Sequence, residues 1–373
     1  MLARRQWLLG AAAMVCHSAW GRTSGLQPPP VQVLTAWNQG PRSWAGVWTP
    51  HAPVRGIALP ARAHQVLALP PAPGSRTPRA LAVARRPGEY LLLFDPLRAR
   101  PLQWHTMEED RYLAGHAMLN ANASALFTTE TDAATGQGLV VERDPLTLAK
   151  RREFSSGGIG PHALLLEPGT PDQPGTLLVA NGGILNLPET GRRKLNLGRM
   201  DSNLARLDPA TGTVLAIYRL DDPDLSLRHL ARAPDGTVGI ALQAEHAQPA
   251  QRATAPAMAL LAGSALRALP LPALANAAPA WDGYAGDIVH ANACFWVSAP
   301  HAGLVLGWSA QGVALPPLVL PGAGALASHA GHWLAGGHRE AWQFSGTPPV
   351  PRAHRRYALP TVWDNHAQWL DAS

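Results

Sequence analysis

Short β-rich runs recur along this chain, many of them following a histidine or a small polar residue, at a spacing of roughly 40–60 residues. His116 opens HAMLNANASALFTTE, His162 opens HALLLEPGTPDQPGTLLVAN, and His229 opens HLARAPDGTVGIALQ. His64 opens HQVLALP, with ALAVARR as its second strand. Further openings fall near Asp287 and Leu326, and a last one at Asn365-His366 has no second strand after it. Turn signals such as Asp208-Pro209-Ala210-Thr211-Gly212 and Pro234-Asp235-Gly236 separate the runs. Helical periodicity is hard to find. Regularly spaced short strands predict an all-β fold, and a repeat of this length selects a β-propeller. The openings at 64, 116, 162, 229, 287, 326 and 366 predict seven four-stranded blades. Residues 31–59 hold three strand-like runs before the first His-opened unit, so the C-terminal strand is expected to pair with the N-terminal ones and close the ring.

The ends bound the domain. Arg4 and Arg5, an apolar run from Trp7 to Val15 and the small-x-small site Ala19-Trp20-Gly21 read as an export signal over residues 1–21. The aromatic two positions after the arginine pair resembles the twin-arginine consensus, so the periplasm is the expected location. Residues 22–30, ending in Gln27-Pro28-Pro29-Pro30, read as a linker, and residues 31–373 as a single propeller domain. Removal of the signal leaves 29 basic and 25 acidic residues with no basic run long enough to track a nucleic acid. No second apolar stretch is uninterrupted enough for a membrane span, and the mature chain is expected to be a monomer. Cys294 is then the one cysteine left, which excludes an intramolecular disulfide and a CxxCH haem attachment. It lies in ACFWVS and reads as a buried small hydrophobe. There is no nucleophile elbow, P-loop or dinucleotide fingerprint.

Several stretches together resemble a bacterial family known as domain of unknown function 1513. They are LPARAHQVLALP, ALAVARRPG, GHAMLNANASALFTTETDAATGQG, GIGPHALLLEPG, LLVANGGI, GRRKLNLGRMDSNLARLD, LSLRHLARAPDGTV and WDNHAQWL. The resemblance implies a periplasmic, twin-arginine-exported propeller, with imelysin-type or di-haem cytochrome-like periplasmic proteins as partners. It implies no activity. Ala63-His64 departs from the usual Gly-His, Asp287 stands where a small hydroxyl residue is usual, and 244–280 matches poorly.

The first strand of a blade starts on one face of the ring and the second returns to it. One funnel is therefore expected to collect His64, His116, His162, His229 and His366, with Arg85, Arg86, Glu130, Asn181, Gln243 and Asn365 beside them. Fourteen residues separate His116 from Glu130 and fourteen separate His229 from Gln243, which supports the pairing. The segment 182–203 is expected to lie over the same funnel, with Arg192, Arg193, Lys194 and Asn196 as a clamp for an anion. Imidazoles and a carboxylate around a narrow axis suit a transition metal (iron, copper or zinc), with His64, His116, Glu130, His162, His229 and His366 as ligands. The competing reading gives each His a local hydrogen-bonding role of the kind WD-type propellers use at this position. Against it, five histidines on one axis would repel one another if protonated, a cost that a metal or an anion relieves. Three functions follow: binding of a metal ion, metal chelate or haem for iron acquisition; a propeller hydrolase or lactonase in which Glu130, Asn181 and funnel histidines hold a metal that activates water; and a protein docking platform. Binding is favoured over catalysis.

Overall fold

A computed structural model describes residues 30–169, 174–187, 190, 193–274, 281–346 and 353–370. The expected export signal, most of the linker and Arg192 lie outside them. The strands are β1 (Val33–Gln39), β2 (Arg42–Trp48) and β3 (Arg55–Leu59); β4 to β7 (Ala63–Leu69, Arg79–Ala84, Tyr90–Asp95, Arg100–Thr106); and β8 to β11 (Arg111–Leu119, Leu126–Asp132, Gln137–Arg143, Lys150–Ile159). Next come β12 to β15 (Pro161–Glu167, Thr176–Asn181, Asn203–Leu207, Val214–Tyr218) and β16 to β19 (Leu225–Arg232, Val238–Ala244, Met258–Ala262, Ala265–Ala268), then β20 to β23 (Asp287–Ala291, Cys294–Ala299, Leu304–Ser309, Ala314–Val319). The last are β24 to β27 (Leu326–His329, His332–Gly336, Glu340–Ser345, Ala353–Ala358) and β28 (Trp363–Trp369). Residues 249–268 supply the outer half of the β16–β19 sheet and one short helix, α1 (Pro249–Thr254), with proline at its start.

Each sheet is an antiparallel meander, and burial explains its strand order. In the β4–β7 sheet, β5 and β6 are buried at every position, because neighbouring sheets cover both faces. The outermost strand β7 has no buried position and exposes Leu102 and Trp104. The innermost strands β4, β8, β12, β16, β20, β24 and β28 each touch the next around a common axis, and β28 touches β4. Gln65 and Gln368 stitch this inner ring: Gln65 Oε1 accepts the Ala117 N–H at 2.7 Å, and Gln368 Oε1 accepts the Ala68 N–H at 2.7 Å.

By hydrogen bonding the described strands form six sheets, five of four strands and one of eight, where the repeat predicts seven of four. The difference is one parallel bridge, Leu326 to His366, which joins β27-β26-β25-β24 to β28-β1-β2-β3. β28 pairs antiparallel with β1, so the chain ends meet in one sheet as expected, while β3 and β27 remain its outer edges. Asp364 ties this junction to the next sheet by accepting from Arg62 Nη2 at 2.8 Å. Trp48, Trp363 and Trp369 pack into the core beside it. Among the described residues no helix is long and apolar enough to cross a membrane.

Candidate metal centre

Five of the innermost strands carry a register shift, and each shift spans a histidine. His64 lies between Ala63 and Gln65, His116 between Leu113 and Ala117, and His162 between Pro161 and Leu164. His229 lies between Leu227 and Leu230, and His366 between Trp363 and Ala367. An extra residue in one strand bends it and re-aims a side chain. Here the bends turn five imidazoles to the axis. β20 and β24, which have no such histidine, pair with their neighbours in unbroken register. The shift in β8 needs Gly115, whose φ of +109° suits few other residues; a Cβ there would also come within 2.6 Å of the His64 ring.

The imidazoles form one cluster. Ring centroids are 4.5 Å apart for His229–His366, 4.6 Å for His116–His162 and His162–His229, and 4.7 Å for His64–His366. His162 Nε2 and His229 Nε2 stand 3.3 Å apart, so one ring donates to the other. Nitrogens of His64, His116, His229 and His366 all lie within 4.8 Å of one another. His64, His116, His162 and His229 are buried. Burial pushes their pKa values well below the ordinary imidazole value, and charge on neighbouring histidines and arginines pushes the same way. At neutral pH these rings therefore keep lone pairs for a metal. Both His64 nitrogens, Nε2 of His116 and His366, and Nδ1 of His162 and His229 are buried without a hydrogen-bond partner in the protein. Such groups are costly to leave unmatched.

A carboxylate orients one of the rings. Asp287 Oδ1 lies 3.1 Å from His366 Nδ1, while Asp287 also accepts the Ile288 N–H at Oδ1 and the Leu326 N–H at Oδ2, both at 2.9 Å. A carboxylate held by two backbone donors fixes the His366 tautomer with the proton on Nδ1, which leaves Nε2 as the ligand atom.

The pKa shifts predict a pH dependence for the metal-free protein. Unfolded imidazoles take up protons near 6.5, whereas the four folded ones take them up only well below that. Between these values the unfolded state binds more protons, so stability rises with pH, by at most about 1.4 kcal/mol per pH unit for each ring that stays neutral. The melting temperature is expected to fall on acidification from pH 7.5 to 5, and to fall less steeply in His162→Gln.

The cluster lies between two cavities that share His229. The larger, about 440 Å³, is lined by His64, His162 and His229 together with Arg85, Arg86, Lys194, Arg228, Gln243, Glu245, Tyr284 and Asn365. The smaller, about 230 Å³, is lined by His116, His229, His366 and Asp287. Arg85, Arg86, Gln243, Asn365 and Lys194 thus come together with the histidines as the sequence predicts. Gln243 donates to the Ala285 carbonyl at 3.2 Å, and Asn365 donates to Tyr284 Oη at 3.2 Å.

Other expected members are elsewhere. Glu130 lies on the β9 face shared with Thr128, where Arg143 donates to its Oε1 at 2.8 and 3.1 Å and Thr128 at 2.5 Å. It borders a separate small pocket with His105 and Arg111, held there by Arg143 of the adjacent strand β10. Asn181 is spent between sheets too: its Oδ1 accepts from Ser156 Oγ at 2.8 Å, and its Nδ2 donates to the Ser156 carbonyl and to Asn203. Asn196 folds its own loop, accepting the Leu185 N–H and donating to the Gly183 carbonyl. Arg193 contributes its carbonyl to Asn186 and does not line the cavity. Sequence reasoning missed Asp287, Arg228, Glu245 and Tyr284. Asp287 occupies the opening position of its repeat, and Arg228 directly precedes His229.

Solved structures share this architecture. The hypothetical selenium-binding protein from Sulfolobus tokodaii matches with a TM-score of 0.61 at 11% identity, over 92% of this chain and 94% of that one. The Dos1 propeller matches with a TM-score of 0.53 at 8% identity, over 90% and 88%. The streptogramin B lyase structure matches with a TM-score of 0.52 at 11% identity, over 81% and 86%. At such identities the likeness is one of fold, the β-propeller. No curated protein matches the chain in sequence. The sequence profile of the DUF1513 family, described as protein of unknown function, matches residues 57–370, nearly the whole ring with its five histidines, and the chain belongs to that family.

Proposed function

We propose that this protein binds a first-row transition metal ion (iron, copper or zinc) on the propeller axis through His64, His116, His229 and His366, with His162 at its side. One observation carries the reading: four imidazole nitrogens converge within 4.8 Å, and one of those rings is held by a carboxylate in the manner of metal-ligating histidines. Neutral imidazole suits zinc, copper and iron alike. A tetrahedral ion with bonds of about 2.0–2.1 Å needs nitrogens roughly 3.4 Å apart, so small side-chain movements bring the four into range.

The hydrolase reading placed Glu130 and Asn181 beside the funnel histidines as ligands of a water-activating metal. Both are committed to contacts between sheets, so binding is the function retained. Export by the twin-arginine route and residence in the periplasm belong to the same proposal. That route carries folded proteins, which allows the metal to be loaded before competing ions are met.

Equilibrium dialysis of metal-free protein against Fe²⁺, Cu²⁺ or Zn²⁺, followed by elemental analysis, tests the reading. Asp287→Asn is expected to keep the fold and lose about 10–100-fold in affinity, the usual effect of removing an outer-shell partner. Unchanged affinity in that variant would remove Asp287 from the centre.

A further inference from the structure

We infer that the metal reaches the histidines through the smaller cavity, which is the loading port of the centre. This rests on the metal reading above and adds to it the route of the ion and the residues that set its rate. An entry path is part of what a metal site needs, and two cavities compete for the role.

The smaller cavity offers more of the ligand set. His116, His229 and His366, three of the four converging rings, line it, whereas two of the four, His64 and His229, line the larger one. An ion arriving by the smaller cavity exchanges waters for three imidazoles and completes its shell at His64.

The charges favour the same side. The lining of the smaller cavity includes Asp287 and, among the described residues, no lysine or arginine. Asp287 pairs with His366, so its charge acts at the centre itself. A carboxylate there lowers the energy of an approaching cation, and does so more strongly in a partly buried setting than in bulk water. Both carboxylates of the larger cavity are engaged elsewhere: Glu245 by Lys194, with Arg228 Nη2 at 3.6 Å, and Asp282 by His301 Nδ1 at 2.7 Å.

The smaller cavity also has the size and the wall of a port. Its volume is about 230 Å³. A water takes up about 30 Å³, so an ion with roughly six waters fits. The wall is the inner ring of strands. Leu67, Leu164, Leu230, Val289 and Gln368 stand one to three residues beyond His64, His162, His229, Asp287 and His366 on β4, β12, β16, β20 and β28. All five are half-buried. The bonds from Gln65 to the Ala117 amide and from Gln368 to the Ala68 amide hold these strands in place. One larger side chain on this wall therefore narrows the passage.

Stopped-flow mixing of metal-free protein with Zn²⁺, and release of bound Zn²⁺ to excess EDTA, test the inference. Leu164→Trp narrows the smaller cavity, and Gln243→Trp adds bulk to the larger one. Leu164→Trp is expected to slow uptake and release alike, each by at least about tenfold, while equilibrium affinity stays within about threefold, because an obstacle on a route changes both rates by the same factor. Gln243→Trp is expected to keep both rates within about twofold. Val289→Trp, on another strand of the same wall, repeats the test if Leu164→Trp does not fold. Slowing in Gln243→Trp alone would overturn the inference and move the route to the larger cavity. Equal slowing in both, or in neither, would overturn it as well. A folded natural protein that takes up no Zn²⁺ at equilibrium would refute the centre as a zinc site and the route with it, whereas normal binding with unaltered rates in the variants refutes the route alone.

Discussion

A His116→Ala/His366→Ala variant is expected to fold and to lose metal affinity by more than about 100-fold. Removing an outer-shell partner alone costs about 10–100-fold, and this variant removes two of the four converging nitrogens. It should keep its structure because neither ring carries the ladder. Both lie in register shifts, where their strands are already out of step with the partner. The bends are held by other groups: Thr35 Oγ1 donates to the His366 carbonyl at 2.8 Å, and Gln65 Oε1 accepts from the Ala117 N–H. Asp287 keeps its two backbone donors when His366 is lost. Dialysis with elemental analysis reads the affinity, and near-ultraviolet circular dichroism reads the packing. Loss of the fold in this variant and in the milder His366→Asn would favour local structural roles for these histidines.

Glu130→Ala is expected to show the opposite pattern, losing about 3–5 kcal/mol of stability with metal affinity unchanged. Glu130 and Arg143 are both almost fully buried, and Arg143 keeps its charge when the carboxylate is removed. The Leu148 carbonyl, at 3.0 Å from Arg143 Nη1, still accepts, but Nε and Nη2 lose the carboxylate they share. Denaturant unfolding measures the loss. Glu130→Gln, which keeps an acceptor, should lose less and remain measurable if the alanine variant is too unstable to isolate. Reduced metal uptake by a folded Glu130→Gln protein would return Glu130 to the centre.

The two variants mark what was legible in the sequence. The histidine ring could be read because every member opens a β-rich repeat, and the axis of a ring is where repeated positions must meet. The chain-end junction was legible for a similar reason: one strand was left over at one end and three at the other. The register shifts were not legible, since an extra residue in a strand leaves no compositional trace except Gly115. Glu130 was misplaced by the spacing argument. A separation of 14 residues equates it with Gln243, yet a buried arginine on the adjacent strand captures it between sheets. Asp287 stood at an opening position without being assigned, because its role appears only when the ring closes and its carboxylate meets His366 of β28. Arg228 gave no signal beyond its place directly before His229 in β16. The joining of two sheets by Leu326 and His366 is likewise a single contact that no repeat count contains.

The five-histidine cluster stands or falls as a metal site on its metal content. The most direct measurement is elemental analysis of the full chain, produced with its own N-terminus and purified without chelators, beside the His116→Ala/His366→Ala variant prepared in the same way. A stoichiometric first-row transition metal is expected in the natural sequence and none in the folded variant. A folded natural protein that arrives without metal, and takes up neither iron, copper nor zinc on dialysis, would contradict it.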